Sequence, residues 1–229
     1  RLGKPELKYE SMIQLSHLMG STGMYKEAID LLESVDASKL STDLLIDYYD
    51  AYDHAYGELA YYTQDKRSSE RYRAISDQYK DSLYRILPED SELRLIFQEN
   101  AFRDKGQYQE ALRINDIRLS REVFGSPTYA LISFHRSLTY RNQGNIQQQK
   151  FFLALSALSD IMSATKDHAS LWMLAEILYQ EGNIERAYNY IRFSWKDTTF
   201  YNARLRSSQS AGILSLIEQT YQASMEKKN

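Results

Sequence analysis

Residues 167–195 have the sequence DHASLWMLAEILYQEGNIERAYNYIRFSW, and the interpretation of the whole chain starts from them. In the first half, leucines and an alanine recur at the spacing of one helical face, and in the second half isoleucines, an alanine and a tyrosine do the same. Gly182 and Asn183 separate the two stripes, as expected of a turn. The segment predicts two antiparallel helices. Because neither can bury its stripe alone, similar pairs must stack beside it.

The turn of this pair recurs along the chain. Gly23, Gly106, Gly144 and Gly182 are each followed two residues later by Tyr or Ile. Gly106, Gly144 and Gly182 are 38 residues apart, whereas Gly23 and Gly106 are separated by 83 residues, which is about two units. A fixed period of this length indicates a stacked array of helical pairs. The 229 residues include only nine glycines and three prolines. These low counts also favour an almost entirely helical chain.

The pattern predicts five helical hairpins and a closing helix within a single domain spanning residues 1–229. The hairpins are expected at about 6–36, 42–87, 91–123, 127–165 and 167–196, and the closing helix at about 198–224. Ser41 and its neighbours supply an N-terminal cap for the third helix, and Pro127 stands where a helix begins. No glycine marks the turn of the second hairpin, so it is the most divergent unit.

The spacing around each glycine resembles that of tetratricopeptide repeats (TPRs). A small residue, Ser16, Ser137 or Ala175, precedes the turn glycine by seven positions and would let the two helices approach closely. Glu99 replaces the small residue in the third unit, and Gln149 replaces an alanine in the fourth. The period is longer than the ~34 residues of ordinary TPRs. The resemblance implies an all-α fold, a right-handed α-solenoid of TPR-like hairpins.

Composition argues against several classes of function. A net charge of -3 and a pI of about 5.9 disfavour sequence-independent binding to nucleic-acid phosphates, because such binding needs a clustered basic surface. The absence of cysteine excludes disulfides and thiol catalysis. No metal-binding, phosphate-binding or nucleophile motif occurs, so we expect neither an enzyme nor a cofactor. Asp50 and His54, one helical turn apart, are better explained as helix-surface charge than as metal ligands.

The expected binding site is the concave, inner face of the array, which the first helix of each pair would line. Residues ten, six and three positions before each turn glycine should point inwards. Those selected as candidates combine aromatic, amide and charged groups, as recognition surfaces do: His17, Asn100, Arg103, Phe134, Arg141, Trp172, Glu176 and Tyr179. The alternative for Phe134, Trp172 and Ile96 is packing against the next pair.

The third helix carries six of the 19 tyrosines. Most tyrosines must fill space between helices, with the hydroxyl group at the rim. Tyr52 and Tyr56 lie one turn apart, and we include them as candidates for stacking on a sugar or peptide ring. Packing between helices is the other explanation, and the sequence leaves both open.

A narrower resemblance covers about residues 157–222. This part is similar to the repeat half of a family of Bacteroidetes inner-membrane regulators, and residues 201–206, YNARLR, are its most distinctive stretch. The resemblance implies a sensor portion on the periplasmic side of the inner membrane, with a membrane helix, a coiled coil and a helix-turn-helix outside this chain. It leaves a possible homodimer open.

Two functions are consistent with this reasoning. The first is a non-enzymatic sensor of a protein, peptide or small glycan in a membrane-linked transcriptional regulator. The alternative is a soluble, cytoplasmic TPR scaffold for protein–protein interaction. We expect the chain to be a soluble portion of a longer protein, because it opens on Arg1 without an initiator Met or a signal-like apolar segment and closes on a polar tail, residues 226–229. Its longest nearly apolar run, residues 211–217, is far shorter than the ~20 residues a bilayer requires.

Overall fold

The computed structural model describes residues 4–165, 169–200 and 204–226 of the chain. Eleven α-helices lie within these ranges, and no described residue belongs to a strand. Consecutive helices pair in the manner of TPRs, so the predicted all-α fold of helical hairpins is confirmed. The helices are α1 (Lys4–Ser21), α2 (Tyr25–Glu33), α3 (Thr42–Tyr62), α4 (Lys66–Ile86), α5 (Glu92–Asp104), α6 (Tyr108–Leu119), α7 (Pro127–Asn142), α8 (Ile146–Met162), α9 (Ala169–Gln180), α10 (Ile184–Phe200) and α11 (Arg204–Glu226).

The chain divides into two compact units, Arg1–Ser91 and Glu92–Asn229. Helices α1 to α4 belong to the first unit, and α5 to α11 belong to the second. The assignment of all 229 residues to one domain stays a prediction. Residues 166–168 and 201–203 include the start of the segment quoted above and half of the YNARLR stretch, and they lie outside the described residues.

Four of the hairpins turn through the same backbone motif. Gly23, Gly106, Gly144 and Gly182 all have a positive φ, between 72° and 87°. In each turn the amide after the glycine donates to the carbonyl five residues earlier, as Asn183 does to Leu178 at 2.8 Å. This is the helix-ending Schellman arrangement, which requires left-handed backbone at the glycine position. The sequence spacing therefore located the turns correctly.

The second hairpin, which lacks a glycine, turns by a different device. Asp65 stands in extended backbone after α3, and its carboxylate accepts from the Ser68 amide at 2.7 Å. An aspartate in this position satisfies the free amides of the first helical turn. It caps α4 and allows the chain to reverse without a left-handed residue.

Tyrosine rings fill the core of the first unit. Tyr52 is 3% exposed, and its ring lies flat on that of Tyr79 with the centroids 4.3 Å apart. Tyr48 meets the Tyr52 ring edge-on at 4.9 Å. Ile13, Leu32 and Ala55 complete the centre of this cluster. The packing is therefore aromatic where α3 meets α4 and aliphatic towards α1 and α2.

The second unit is built around α9 and α10. Ala175 and Ala187 are fully buried, and with Leu153, Ile191 and Ile217 they form one apolar cluster. Ile217 belongs to α11, whose Tyr221 also stacks on Tyr188 of α10 at 4.1 Å. The closing helix thus packs on the last pair, as the sequence predicted.

Replacing Ala187 by leucine is expected to lower the free energy of unfolding by roughly 1–3 kcal/mol, because the added methylenes have no space at a fully buried site. Urea denaturation of both proteins measures the difference. Ala211→Leu is the matched control, since Ala211 is an exposed helical alanine of α11. An unchanged stability for Ala187→Leu would show that the α9–α10 register is wrong.

No described helix combines the length and the apolar character needed to cross a membrane.

Candidate functional site

The first helices of the second unit carry most of the predicted site residues. On α5, Arg103 Nη2 donates to Asn100 Oδ1 at 2.6 Å, so two predicted residues form one polar group. Arg141 of α7 is exposed and lies near enough for its charge to lower the pKa of Arg103. Burial is the larger cause of that lowered pKa, and Glu99 and Asp104 act against it. The structure therefore joins Asn100 to Arg103, whereas Arg141 acts on Arg103 only as a nearby charge.

The aromatic candidates lie at the edge of the apolar cluster. Phe134 and Trp172 are half-buried and pack against it, as does Tyr179. The Tyr179 hydroxyl is 3.1 Å from Thr220 Oγ1 of α11 and so is tied to the closing helix. Glu176 is half-buried on α9. These rings pack against the core with one side and keep part of their surface accessible. Ligand binding by the accessible part stays a prediction.

The three candidates of the first unit are placed differently. His17 is partly exposed, with Nε2 3.2 Å from the Asp47 carbonyl oxygen and 4.0 Å from Asp50 Oδ2. Tyr56 is half-buried and stacks on Tyr52 and Tyr79. Tyr52 is a core residue, and the hypothesis that it stacks on a ligand is wrong for this structure. Its ring already contacts Tyr48, Tyr56 and Tyr79.

Asp50 and His54 do not belong to a cluster of potential metal ligands among the described residues. Burial raises the pKa of Asp50, and the His17 and His54 charges lower it. The His54 ring packs over Gly20, where an added Cβ would lie 3.1 Å from Cδ2. No cluster of three or more His, Asp or Glu side chains suited to a metal occurs among the described residues.

Sequence reasoning missed a buried polar network that joins α5, α6 and α7. At its centre is Arg118 of α6, which is fully buried. Its Nη1 donates to the Glu99 carboxylate, and its Nε and Nη2 donate to Glu92 Oε1 at 2.8 and 2.6 Å. Asn115 Nδ2 donates to Glu99 Oε1 and to the Ile132 carbonyl, both at 3.0 Å. Both Glu99 oxygens accept from donors, which is the arrangement of an ionised carboxylate.

His135 of α7 completes the network as a neutral ring. Arg118 Nη1 lies 3.1 Å from His135 Nδ1, so Nδ1 has to be the unprotonated acceptor. Burial lowers the pKa of His135 to about 3, and the positive charges of Arg118 and Arg103 contribute to the shift. The ring is therefore uncharged at neutral pH and holds the guanidinium in place.

Part of the signal for this network was present in the sequence. Glu99 occupies the position where the other units have Ser or Ala, and it is fully buried. A buried carboxylate needs a cationic partner. The second helix of the same pair carries both Arg113 and Arg118, so the sequence indicates a cationic partner without selecting Arg118.

An open cleft of about 760 Å³ lies elsewhere in this unit, between the α9–α10 turn and the end of α11. Glu181, Tyr221 and Met225 are among its lining residues. Lys150 already pairs with Glu181 at 2.6 Å. The cleft contains none of the predicted site residues, and we do not assign it a ligand.

Residues 1–212 match the family described as the SusR N-terminal TPR domain. The chain belongs to this family. No curated protein matches it. The match covers every helical pair, including the two whose sequences depart from the repeat at Glu99 and Gln149. It confirms the predicted resemblance to a TPR sensor half. TPR domains are typically non-enzymatic binding scaffolds, so membership in the SusR N-terminal TPR family indicates a protein-binding or sensory role.

Proposed function

We propose that this SusR N-terminal TPR domain is the sensing part of a membrane-linked transcriptional regulator and has no catalytic activity. It binds a protein, peptide or small glycan through the first-helix face, which we define as Asn100, Arg103, Phe134, Arg141, Trp172, Glu176 and Tyr179. TPR-like arrays use the corresponding surface for extended ligands. The proposal places the domain on the periplasmic side of the inner membrane, without direct contact to nucleic acid.

The observation that carries this proposal is the composition of that face. It offers the hydrogen-bonded pair Asn100 and Arg103, the exposed charge of Arg141, and Phe134 and Trp172 as partly accessible rings. Charged and amide groups give a ligand its orientation, while partly buried aromatic rings provide most of the contact energy. A helical array that served only as a spacer between two other domains would not need this combination of polar side chains and accessible aromatic rings.

Signalling requires that the ligand binds one conformation of the domain more tightly than another. Binding shifts an equilibrium only by the difference in affinity for its two states. The helix that would transmit the shift is α11, because Tyr179 of the first-helix face is hydrogen-bonded to Thr220 on that helix. Ligand contact on α9 therefore has a direct route to the C-terminal end of the domain.

Thermal denaturation in the presence of neutral oligosaccharides and peptides tests the binding role. A ligand of the native state should raise the melting temperature, and Trp172→Ala should reduce the shift. Phe193→Ala is the control, since Phe193 is 45% exposed on α10 and outside the first-helix face. A full shift with Trp172→Ala would contradict the assignment of the face.

The membrane link has its own test. The gene sequence after residue 229 should encode ~20 consecutive apolar residues within a short distance. A coding sequence without such a segment would favour the alternative, a soluble scaffold for protein–protein interaction.

We also propose that a second copy of the domain docks on α8. Phe151, Leu155, Leu158 and Met162 follow one another at intervals of four, three and four residues, so they lie on one side of this helix. Phe151, Leu158 and Met162 are 54%, 50% and 61% exposed. None of the exposed residues of α8 is charged, and Lys150 is half-buried and paired with Glu181. A symmetric contact places like residues together, and an uncharged stripe meets a copy of itself without repulsion.

Leu158→Glu is expected to convert the dimer into a monomer, because symmetry would bring two carboxylates into the same apolar contact. Sedimentation equilibrium gives the mass in solution. Leu216→Glu should remain dimeric, since Leu216 is also 50% exposed but belongs to α11. A monomeric wild-type protein would contradict the proposal.

A further inference from the structure

The apolar stripe of α8 has the same spacing when it is read in either direction along the helix. Phe151, Leu155, Leu158 and Met162 are separated by four, three and four residues, and the centre of this pattern lies between residues 156 and 157. A two-fold axis through that centre and perpendicular to α8 therefore places the stripe on itself with the two helices antiparallel. Phe151 then faces Met162 of the second copy, and Leu155 faces Leu158 of the second copy.

The C-terminal end of the stripe lies beside the loop between α6 and α7. A Cβ added to Gly125 would lie 2.6 Å from Met162 Cε and 3.2 Å from its Sδ, so the loop contacts the Met162 side chain. Val123 and Phe124 of the same loop are 77% and 44% exposed. The exposed apolar surface therefore continues from α8 onto this loop.

The N-terminal end of the stripe presents an aromatic ring beside polar side chains. Phe151 is 54% exposed, and its ring meets that of Phe152 edge-on with the centroids 5.2 Å apart. Gln147 and Gln148, about one helical turn towards the start of α8, are exposed amides. A stripe with an apolar loop at one end and an exposed ring at the other is complementary to an inverted copy of itself.

We infer that the α8 stripes of two copies pack antiparallel, and that the α6–α7 loop of each copy covers Phe151 of the other. The inference rests on the proposed dimer and specifies its geometry. The Met162 thioether lies against a Phe151 ring at both ends of the contact, and contacts between sulfur and aromatic rings are favourable. A parallel pair would bring both loops to the same end and leave both Phe151 rings beside amides.

Disulfide formation between introduced cysteines tests the direction of the helices, because the chain contains no cysteine of its own. Phe151→Cys and Met162→Cys proteins, one of them labelled with a heavy isotope, are mixed and oxidised by air. Mass spectrometry of the linked dimers should show the mixed disulfide as the main product. Each variant alone should remain unlinked, because its two cysteines would be about 16 Å apart along the helices, beyond the ~7 Å between Cα atoms that a disulfide spans.

A control variant and a second measurement complete the test. Leu216→Cys, at a 50% exposed position of α11, should not form a mixed disulfide with Phe151→Cys. Sedimentation equilibrium of Val123→Glu should show a dimer dissociation constant about tenfold or more above that of the wild type, because the carboxylate would face an apolar contact. Leu18→Glu, at a 62% exposed position of α1, should leave the constant unchanged. An unchanged constant for Val123→Glu would overturn the loop contact.

Failure of this geometry and failure of the proposed dimer differ in outcome. If Phe151→Cys alone links to itself as its main product, the helices are parallel, so the inference is wrong and the α8 dimer stands. If the wild type is dimeric but no combination forms a disulfide, the inference is again overturned, and Leu158→Glu decides whether α8 forms the contact. A monomeric wild type without any disulfide in the variants would overturn both.

Discussion

Glu99→Ala is expected to lower the free energy of unfolding by about 3–5 kcal/mol, because it leaves the buried guanidinium of Arg118 without its closest counter-ion. Arg118 is fully buried, so water cannot replace the lost carboxylate. Asn115 loses an acceptor in the same change. Glu92 remains as a partner of Arg118, but it is partly exposed and approaches from the other side of the guanidinium. Urea denaturation of the wild type and the variant measures the loss.

Two comparisons separate this mechanism from a general effect of removing charge. Glu110→Ala breaks the exposed Glu110–Arg113 pair of α6 and should change stability by at most about 1 kcal/mol. Glu99→Leu combined with Arg118→Met removes both buried charges and should be much less harmful than Glu99→Ala. A loss below about 1 kcal/mol for Glu99→Ala would mean that the buried pair does not hold α5 and α6 together.

The helices and their turns were predictable because local rules determine them. A glycine after an apolar stripe ends a helix wherever left-handed backbone is needed, and all four turn glycines have that conformation. Pro127 at the start of α7 and the Ser41 cap of α3 follow from equally local chemistry. The end of α10 was less predictable. It runs to Phe200, past the expected end near residue 196, since no glycine or proline stops it.

The buried network was not predictable to the same extent, because it depends on which faces of three helices meet. Glu99 drew attention as a departure from the repeat, but its partner Arg118 is 19 residues away, and His135, which accepts from Arg118, is 36 residues away. Arginine and histidine on a helix are usually exposed, and the sequence gives no reason to bury these two. The pairing of α5, α6 and α7 brings them together.

The candidate site was predicted in part for a related reason. Counting back from each turn glycine selects a helical position, and this gave Arg103 and Arg141 equivalent positions in successive units. Neither this count nor the one-turn spacing that selected Tyr52 and Tyr56 can tell whether a neighbouring helix covers the residue. Tyr52 shows the difference, since Tyr79 of α4 lies flat against it and closes the position to ligands.

Acidification from pH 7.5 to pH 5 is expected to destabilise the wild type by about 2 kcal/mol relative to His135→Asn. The pKa of His135 is lowered to about 3 in the folded protein, whereas an unfolded chain has the ordinary value of 6.5. Above pH 6.5 the ring is neutral in both states, so it contributes no pH dependence. Below pH 6.5 the unfolded chain binds a proton that the folded protein cannot accept, and this favours unfolding.

The His135→Asn variant isolates this contribution because other groups titrate in the opposite direction. Burial raises the folded pKa values of Asp50, Asp53 and Glu99, which makes the folded protein bind protons more readily as the pH falls. These groups are present in both proteins, so the difference between the two stability curves removes most of their effect. An asparagine oxygen can still accept from Arg118 Nη1, which keeps the network satisfied. Parallel curves from pH 7.5 to pH 5 would show that His135 takes up a proton in the folded protein, and that Arg118 does not hold it neutral.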